Sequence, residues 1–314
     1  MNILETYYTF SKLSQAAYID LSLGVLKGAL PDDPFTIVDA GSSKDQKRMP
    51  KDLGEQLFGA VDNPSPDHWT ILSPYHLTSP NSGHSDPGSG FAAMLLEHPD
   101  HGKVLSIAGT EPGKGTDEGS QTKWDLLDAD AHDIGFLGAA FKQLVSLYNY
   151  VQVLKAPKGS TNVKRLEVHS RDYIQPIGTE YVTEFDIFGG PYPLTAPPTF
   201  WWIEEHNDGI SLGDPLLAEG EQLTVTGHSL GGHVAGLAVA LFPGLFTQAY
   251  TFNAPGYNPP SSLLSQPGGA DDLLDLFRQF GESPADVSSI SENRKGDASI
   301  FRNRKGDASI FRGQ

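Results

Sequence analysis

The chain has 314 residues, 38% of them apolar and 10% aromatic, enough to bury the core of one large α/β domain or two small ones and too apolar for a disordered chain. Acidic side chains outnumber basic ones 39 to 22, and the formal net charge of -17 repels phosphate backbones and anionic bilayers, so no nucleic-acid partner is expected. The absence of cysteine excludes disulfides, thiolate metal sites and cysteine nucleophiles while leaving the compartment open.

Glu5 precedes every basic residue at the N-terminus, and no apolar run there is followed by a small-residue cleavage site. A cleaved signal peptide is therefore not evident, and the expected locations are the cytoplasm or the outside by a signal-independent route. From about Leu4 to Leu23 apolar residues recur at helical spacing, and the Pro31 to Pro34 turn closes that region. Two apolar runs, Gly90 to Glu97 and Lys103 to Ala108, flank the turn HPDHG and predict a hairpin whose second strand ends near Gly109. His98 and His101 flank the same turn without further ligands nearby, which argues against a metal there. A polar, glycine-rich loop from Glu111 to Lys123 comes next, then a long helical pattern from about Gly135 to Leu154.

Residues 156–216 are rich in Tyr, Phe, Pro and Gly, with alternating runs at Arg165 to His169 and Tyr181 to Phe188, and read as an inserted hairpin and flap. Beyond it, LTVT (Leu223 to Thr226), the turn GHSLGG, HVAGLAVALF and QAYTF (Gln248 to Phe252) make a strand, turn, helix and strand, the βαβ unit of a parallel sheet. The longest apolar stretch, Val234 to Phe242, is about half of the ~20 residues a bilayer span needs and is interrupted by Gly236, so no transmembrane segment is expected. A helix from about Asp271 to Phe280 and a strand at Val287 to Ser291 precede NRKGDASIFR, which occurs twice, at 293–302 and 303–312. Two ten-residue copies are too few and too short for a solenoid, so the doublet reads as a duplication that need not be native sequence.

Gly227-His228-Ser229-Leu230-Gly231 is G-x-S-x-G between a strand and an apolar helix, the setting of a nucleophile elbow. The glycines relieve crowding at a tight turn that lifts the Ser229 hydroxyl above the sheet edge. The Leu230 N–H, at the start of the helix, then faces a developing oxyanion. The same glycines would also serve mere close packing of helix on strand. A phosphate-binding loop is excluded because no GK[ST] occurs, and GTEPGKGT has Ala108 where its first glycine should stand.

Several segments, in order, resemble the class 3 lipases, α/β-hydrolases that cleave triacylglycerols and related esters. SQAAY (Ser14 to Tyr18) resembles the family's N-terminal helix and VLSIAGTE (Val104 to Glu111) its oxyanion strand. Trp124-Asp125 followed by HDIGFLGAAF (His132 to Phe141) is similar to its W-D and H-x-G-F segment. VTGHSLGGHVAG matches the elbow closely, and FNAPGYN (Phe252 to Asn258) is similar to the family's next strand end and loop. The resemblance spans about residues 10–260 apart from the insertion. It implies that Thr110 supplies the second oxyanion donor through its backbone N–H.

A serine hydroxyl needs a histidine base and an acid that orients it, and in this fold both come after the serine in the chain. Asp297 follows a short strand pattern and a glycine as the family's acid does; Asp286 is the alternative, and Asp307 is the duplicate's counterpart of Asp297. No histidine follows His233, and neither His228 nor His233 stands where the family has its base. The catalytic histidine is therefore not identified. Either the chain ends before it, or His132, His169 or His206 reaches the elbow from another loop.

Asp125, Asp128, Asp130 and Asp133 precede a helix, where acids commonly satisfy the N-terminus; a Ca2+ site is the alternative, and otherwise no cofactor is expected. Tyr173, Tyr181, Phe185, Phe188, Tyr192, Phe200, Trp201 and Trp202 in the insertion suit a movable apolar cover that opens at a lipid–water interface, or a satellite core. The sequence thus predicts a single α/β-hydrolase domain over 1–314, with a mostly parallel central sheet flanked by helices and an insertion at 156–216. The expected activity is lipase-like hydrolysis of carboxylic esters. Phospholipase A1-type or polyester hydrolysis, or an inactive hydrolase-fold protein, are the alternatives.

Overall fold

The computed structural model describes residues 3–17, 51–59, 68–75, 91–109, 140–172, 184–185, 199–256, 270–286, 290–295 and 298–303. Among them, seven strands form one sheet: β1 (Thr70–Tyr75), β2 (Ala93–His98), β3 (Gly102–Ile107), β7 (Leu223–His228), β8 (Phe246–Phe252), β9 (Ile290–Lys295) and β10 (Ala298–Asn303), in the order β1-β2-β3-β7-β8-β10-β9. A second, three-stranded sheet has the order β4-β6-β5, from β4 (Val163–Asp172), β5 (Glu184–Phe185) and β6 (Thr199–Gly209). Helices α1 (Ile3–Ala16), α2 (Lys51–Phe58), α3 (Phe141–Lys155), α4 (Leu230–Leu241) and α5 (Ala270–Leu276) complete the described elements, with a 3-10 turn at Phe277–Phe280. The architecture is α/β.

The central sheet is mixed. β3, β7 and β8 run parallel, joined by the β7-α4-β8 crossover, whereas β1-β2-β3 and β8-β10-β9 are antiparallel. The expectation of a mostly parallel sheet therefore narrows to its centre. β2 returns to β3 through the hairpin turn at HPDHG, and β10 follows β9 after only two residues; connections this short can join only antiparallel neighbours.

Strand alternation sorts the side chains into two cores. One row across the sheet is Leu95, Leu105, Val225 and Ala249, each opposite the next, and it faces α3 and α4. The adjacent row, Met94, Ser106, Thr226, Tyr250 and Ile300, faces α1 and α2. This gives three layers, helices on both faces of a sheet. Helix α4 has buried residues all round, as a helix sealed between sheet and α3 should.

Two hydroxyls break the apolar pattern of the second row, and both are used. Ser106 donates to the Leu13 carbonyl at 2.6 Å, and Thr226 donates to Phe10 and Tyr250 carbonyls at 3.2 and 2.9 Å. Leu13 lies in the last turn of α1, where carbonyls lack intrahelical partners. Phe10 stacks on Tyr250 with ring centroids 4.1 Å apart, so α1 is held on the sheet beneath the elbow strand.

The small sheet lies within the segment 156–216, and its inner face joins the main core through Leu166 and Ile203. Asn149 of α3 secures it by accepting from the Leu166 N–H at 2.7 Å and donating to the Leu166 carbonyl at 2.8 Å. The described part of residues 156–216 thus includes a packed antiparallel pair, β4 and β6, with the short β5 between them in sequence.

Candidate active site at the β7-α4 elbow

β7 ends at His228 and α4 begins at Leu230, so the whole reversal falls on Ser229, with φ 55° and ψ −129°. That region is unfavourable for any residue with a Cβ, by about 1–3 kcal/mol, and persists only where the surroundings dictate it. They do so here. The Ser229 N–H donates to the Phe252 carbonyl at 2.9 Å, and the Ser229 carbonyl accepts from Gly232 and His233 N–H at 2.9 and 3.1 Å. A Cβ on Gly227 would lie 2.7 Å from the Gly232 nitrogen, and one on Gly231 would lie 2.6 Å from the Ala108 carbonyl carbon. Gly232 is pressed in the same way, its hypothetical Cβ 2.9 Å from that of Ala254. These glycines are therefore needed for close approach, at positions where any side chain would force the helix off the sheet.

Ser229 stands where a helix-capping serine would, yet its side chain makes no capping hydrogen bond, and the residue is half-buried. The hydroxyl is thus withheld from the role that serine most often takes at a helix start. Leu230 opens α4, and the first N–H groups of a helix have no carbonyl within the helix to bond. Their dipoles make the spot beside Ser229 favourable for negative charge.

Other candidates converge on this end of the sheet. Gly231 presses against Ile107 and Ala108, and Ile107 is paired with Gly227, so β3 ends beside the start of α4. Thr110 comes three residues after Ile107 but lies outside the described residues. Ala298 is paired with both Phe252 and Lys295, which puts the end of β9 and the start of β10 at the same sheet edge as the ends of β7 and β8. Asp297, between those two strands in sequence, lies outside the described residues, as does Asp307. Asp286 is described: it is exposed, and its Oδ1 stands 3.7 Å from Arg278 Nη2. That ion pair turns it toward Arg278 and the 3-10 turn.

The described histidines considered as a base each have other neighbours. His228 Nε2 is 3.3 Å from Asn253 Nδ2. His233 is buried, with Nδ1 3.3 Å from the Pro255 carbonyl, and burial pulls its pKa down to about 4 against the raising effect of the Pro255 and Gly256 backbone. It is a neutral structural imidazole that ties α4 to the segment after β8. His169 and His206 sit on the small sheet beside Glu167. His132 lies outside the described residues, as do Asp125, Asp128, Asp130 and Asp133 of the suggested Ca2+ segment. So do Tyr173, Tyr181, Phe188 and Tyr192 of the suggested cover. His98 and His101 lie against each other and Trp69, with ring centroids 4.7 Å apart between the imidazoles.

Asn253 was not among the residues singled out from sequence. It takes φ 51° immediately after β8 and meets His228 across the elbow. Its signal is weak but present, because asparagine is the non-glycine residue that most readily adopts this conformation. Among the described residues no helix is long and apolar enough to cross a membrane. Comparison of the chain with family models, with curated proteins and with solved structures finds no match.

Proposed function

We propose that the chain is a serine carboxylic ester hydrolase of the α/β-hydrolase type, acting on lipid or related esters, with Ser229 as nucleophile. The observation that carries this reading is the strained φ and ψ of Ser229 between a parallel strand and a helix, with the hydroxyl free of the capping role. In the reaction, Ser229 Oγ attacks the ester carbonyl and the alcohol leaves. Water then attacks the acyl-serine to release the acid. The Leu230 N–H and, by the resemblance, that of Thr110 hold the oxyanion; loss of one such donor typically lowers turnover about 100-fold to 1000-fold. The acid assignment rests on Asp297, supported by the sheet edge at which β9 ends and β10 begins. The proton from Ser229 calls for an imidazole other than His228, whose Nε2 meets Asn253, and His233, which is buried in α4 with Nδ1 on the Pro255 carbonyl.

That last observation favours a second reading, a hydrolase-type fold retained for binding without catalysis. The two are separated by hydrolysis of a p-nitrophenyl ester by the purified chain and by Ser229→Ala. Turnover by the parent that drops to background in the variant supports the esterase. No turnover by either chain leaves the binding reading standing, and equal turnover by both excludes Ser229 as the nucleophile.

A further inference from the structure

A second group of reactive side chains lies on the small sheet, in elements that contribute nothing to the elbow chemistry. β4 and β6 pair antiparallel, with Arg165 opposite His206, Glu167 opposite Glu204 and Val168 opposite Ile203. Opposed residues share a face and neighbours along a strand alternate, so Arg165, Glu167, His169, Glu204 and His206 project from one face. Leu166 and Ile203 project from the other, into the main core. The polar face is therefore mounted on two strands whose backs are fixed by packing.

On that face the Glu167 carboxylate lies between two imidazoles, Oε1 3.7 Å from His169 Nε2 and Oε2 3.6 Å from His206 Nε2. Glu204 approaches from the opposing strand, its Oε2 3.3 Å from His169 Nε2. One donor atom each from Glu167, His169 and His206 can be chosen so that all lie within 4.8 Å of one another. The His206 Nε2 atom is shut off from solvent and makes no hydrogen bond among the described residues. Zinc bonds nitrogen and carboxylate oxygen at about 2.0–2.2 Å, which sets ligand atoms about 3.3–3.5 Å apart around a tetrahedral ion. The individual acid–imidazole separations, 3.3 to 3.7 Å, are at that edge length or slightly above it, while the set of Glu167, His169 and His206 as a whole spans up to 4.8 Å and Glu204 approaches it from the His169 side. Side-chain rotations that draw these atoms together would complete the shell.

We propose that Glu167, His169 and His206, with Glu204 as fourth donor, form a binding site for a divalent transition ion of the zinc type, which clips β4 to β6. Two imidazoles with carboxylates suit zinc, whereas calcium and magnesium require shells of oxygen. Arg165 orients the set: its Nη1 donates to Glu167 Oε2 at 2.8 Å, which leaves Oε1 on the His169 side. The guanidinium charge opposes a cation, and Asp208 offsets it through paired hydrogen bonds to Nε and Nη2 at 3.0 and 3.1 Å. Supporting contacts of this kind typically change metal affinity about 10-fold to 100-fold.

The test uses the whole chain, stripped with a chelator, equilibrated with zinc chloride and freed of unbound ion. Zinc per chain is then measured by atomic emission and affinity by calorimetry. The expected results are one zinc per chain, a rise in Tm with zinc but not with calcium, and affinity lowered about 10-fold or more in His206→Gln and in His169→Gln. Glu167→Gln, which keeps size and hydrogen bonding, should weaken binding as well, with far-UV circular dichroism showing that each variant folds. The proposal is overturned if the parent chain retains no zinc and shows no zinc-dependent rise in Tm. Equal zinc binding by parent and the His169→Gln/His206→Gln double variant overturns it too. Neither result depends on whether Ser229 is a nucleophile.

Discussion

Ser229 carries the only described positive φ outside glycine apart from Asn253, and both residues bound the same elbow. Strain of this kind is kept where backbone neighbours over-determine it, and here the Phe252 carbonyl and the N–H groups of Gly232 and His233 do so. His233 plays a supporting part through its own protonation. Its imidazole titrates near 6.5 in an unfolded chain and near 4 when folded, because burial penalises the cation. The unfolded chain therefore binds the proton first. Stability from keeping this ring neutral is complete above pH 6.5 and is lost as pH falls toward 4, by on the order of 3 kcal/mol in full. Urea unfolding between those limits should show this slope, and His233→Gln, which cannot titrate, should flatten that share of it. An unchanged slope in the variant would mean that the buried ring is not the group responsible.

At the level of elements, the elbow is positioned by contacts on both faces of the sheet. α4 is drawn against β3 by Gly231, and α1 is fixed under β7 by the hydroxyls of Ser106 and Thr226. Besides its apolar packing, the small sheet is tied to α3 by a polar residue, Asn149, whose amide satisfies both the N–H and the carbonyl of Leu166. Replacing it by leucine would leave two buried backbone groups without partners, at about 1–3 kcal/mol each. Asn149→Leu should therefore lower the denaturation midpoint by an amount corresponding to about 2–6 kcal/mol, and hydrogen exchange should open β4 before β7. If stability instead rises, as it would for a simple gain of apolar burial, the bridging role is refuted.

For the whole molecule, what the sequence made legible divides by range. The β2-β3 hairpin and the β7-α4-β8 unit were readable, because periodicity, a turn and two or three glycines act within a few tens of residues. The position of Ser229 at the strand-to-helix turn was readable for the same reason. The order of the sheet was not: β10 inserts between β8 and β9, a pairing that no local period encodes. Nor was the group on the small sheet. Glu167-Val168-His169 and Glu204-Glu205-His206 each show an acid and an imidazole two apart, but only the β4-β6 register brings the two pairs onto one face. Asn149 was hidden in an apolar helix, where its partner 17 residues away could not be inferred. Thr110 and Asp297 lie outside the described residues, so their roles rest on the order of strands around the elbow and on resemblance.

The central claim is that the Ser229 hydroxyl is a nucleophile at the strand-to-helix turn. It is tested most directly by treating the chain with a fluorophosphonate, which phosphonylates activated serines, and mapping the adduct by peptide mass spectrometry. The account predicts a single adduct on the peptide containing Ser229, absent after Ser229→Ala. An adduct on another serine, or ester hydrolysis that persists while Ser229 stays unlabelled, would contradict it.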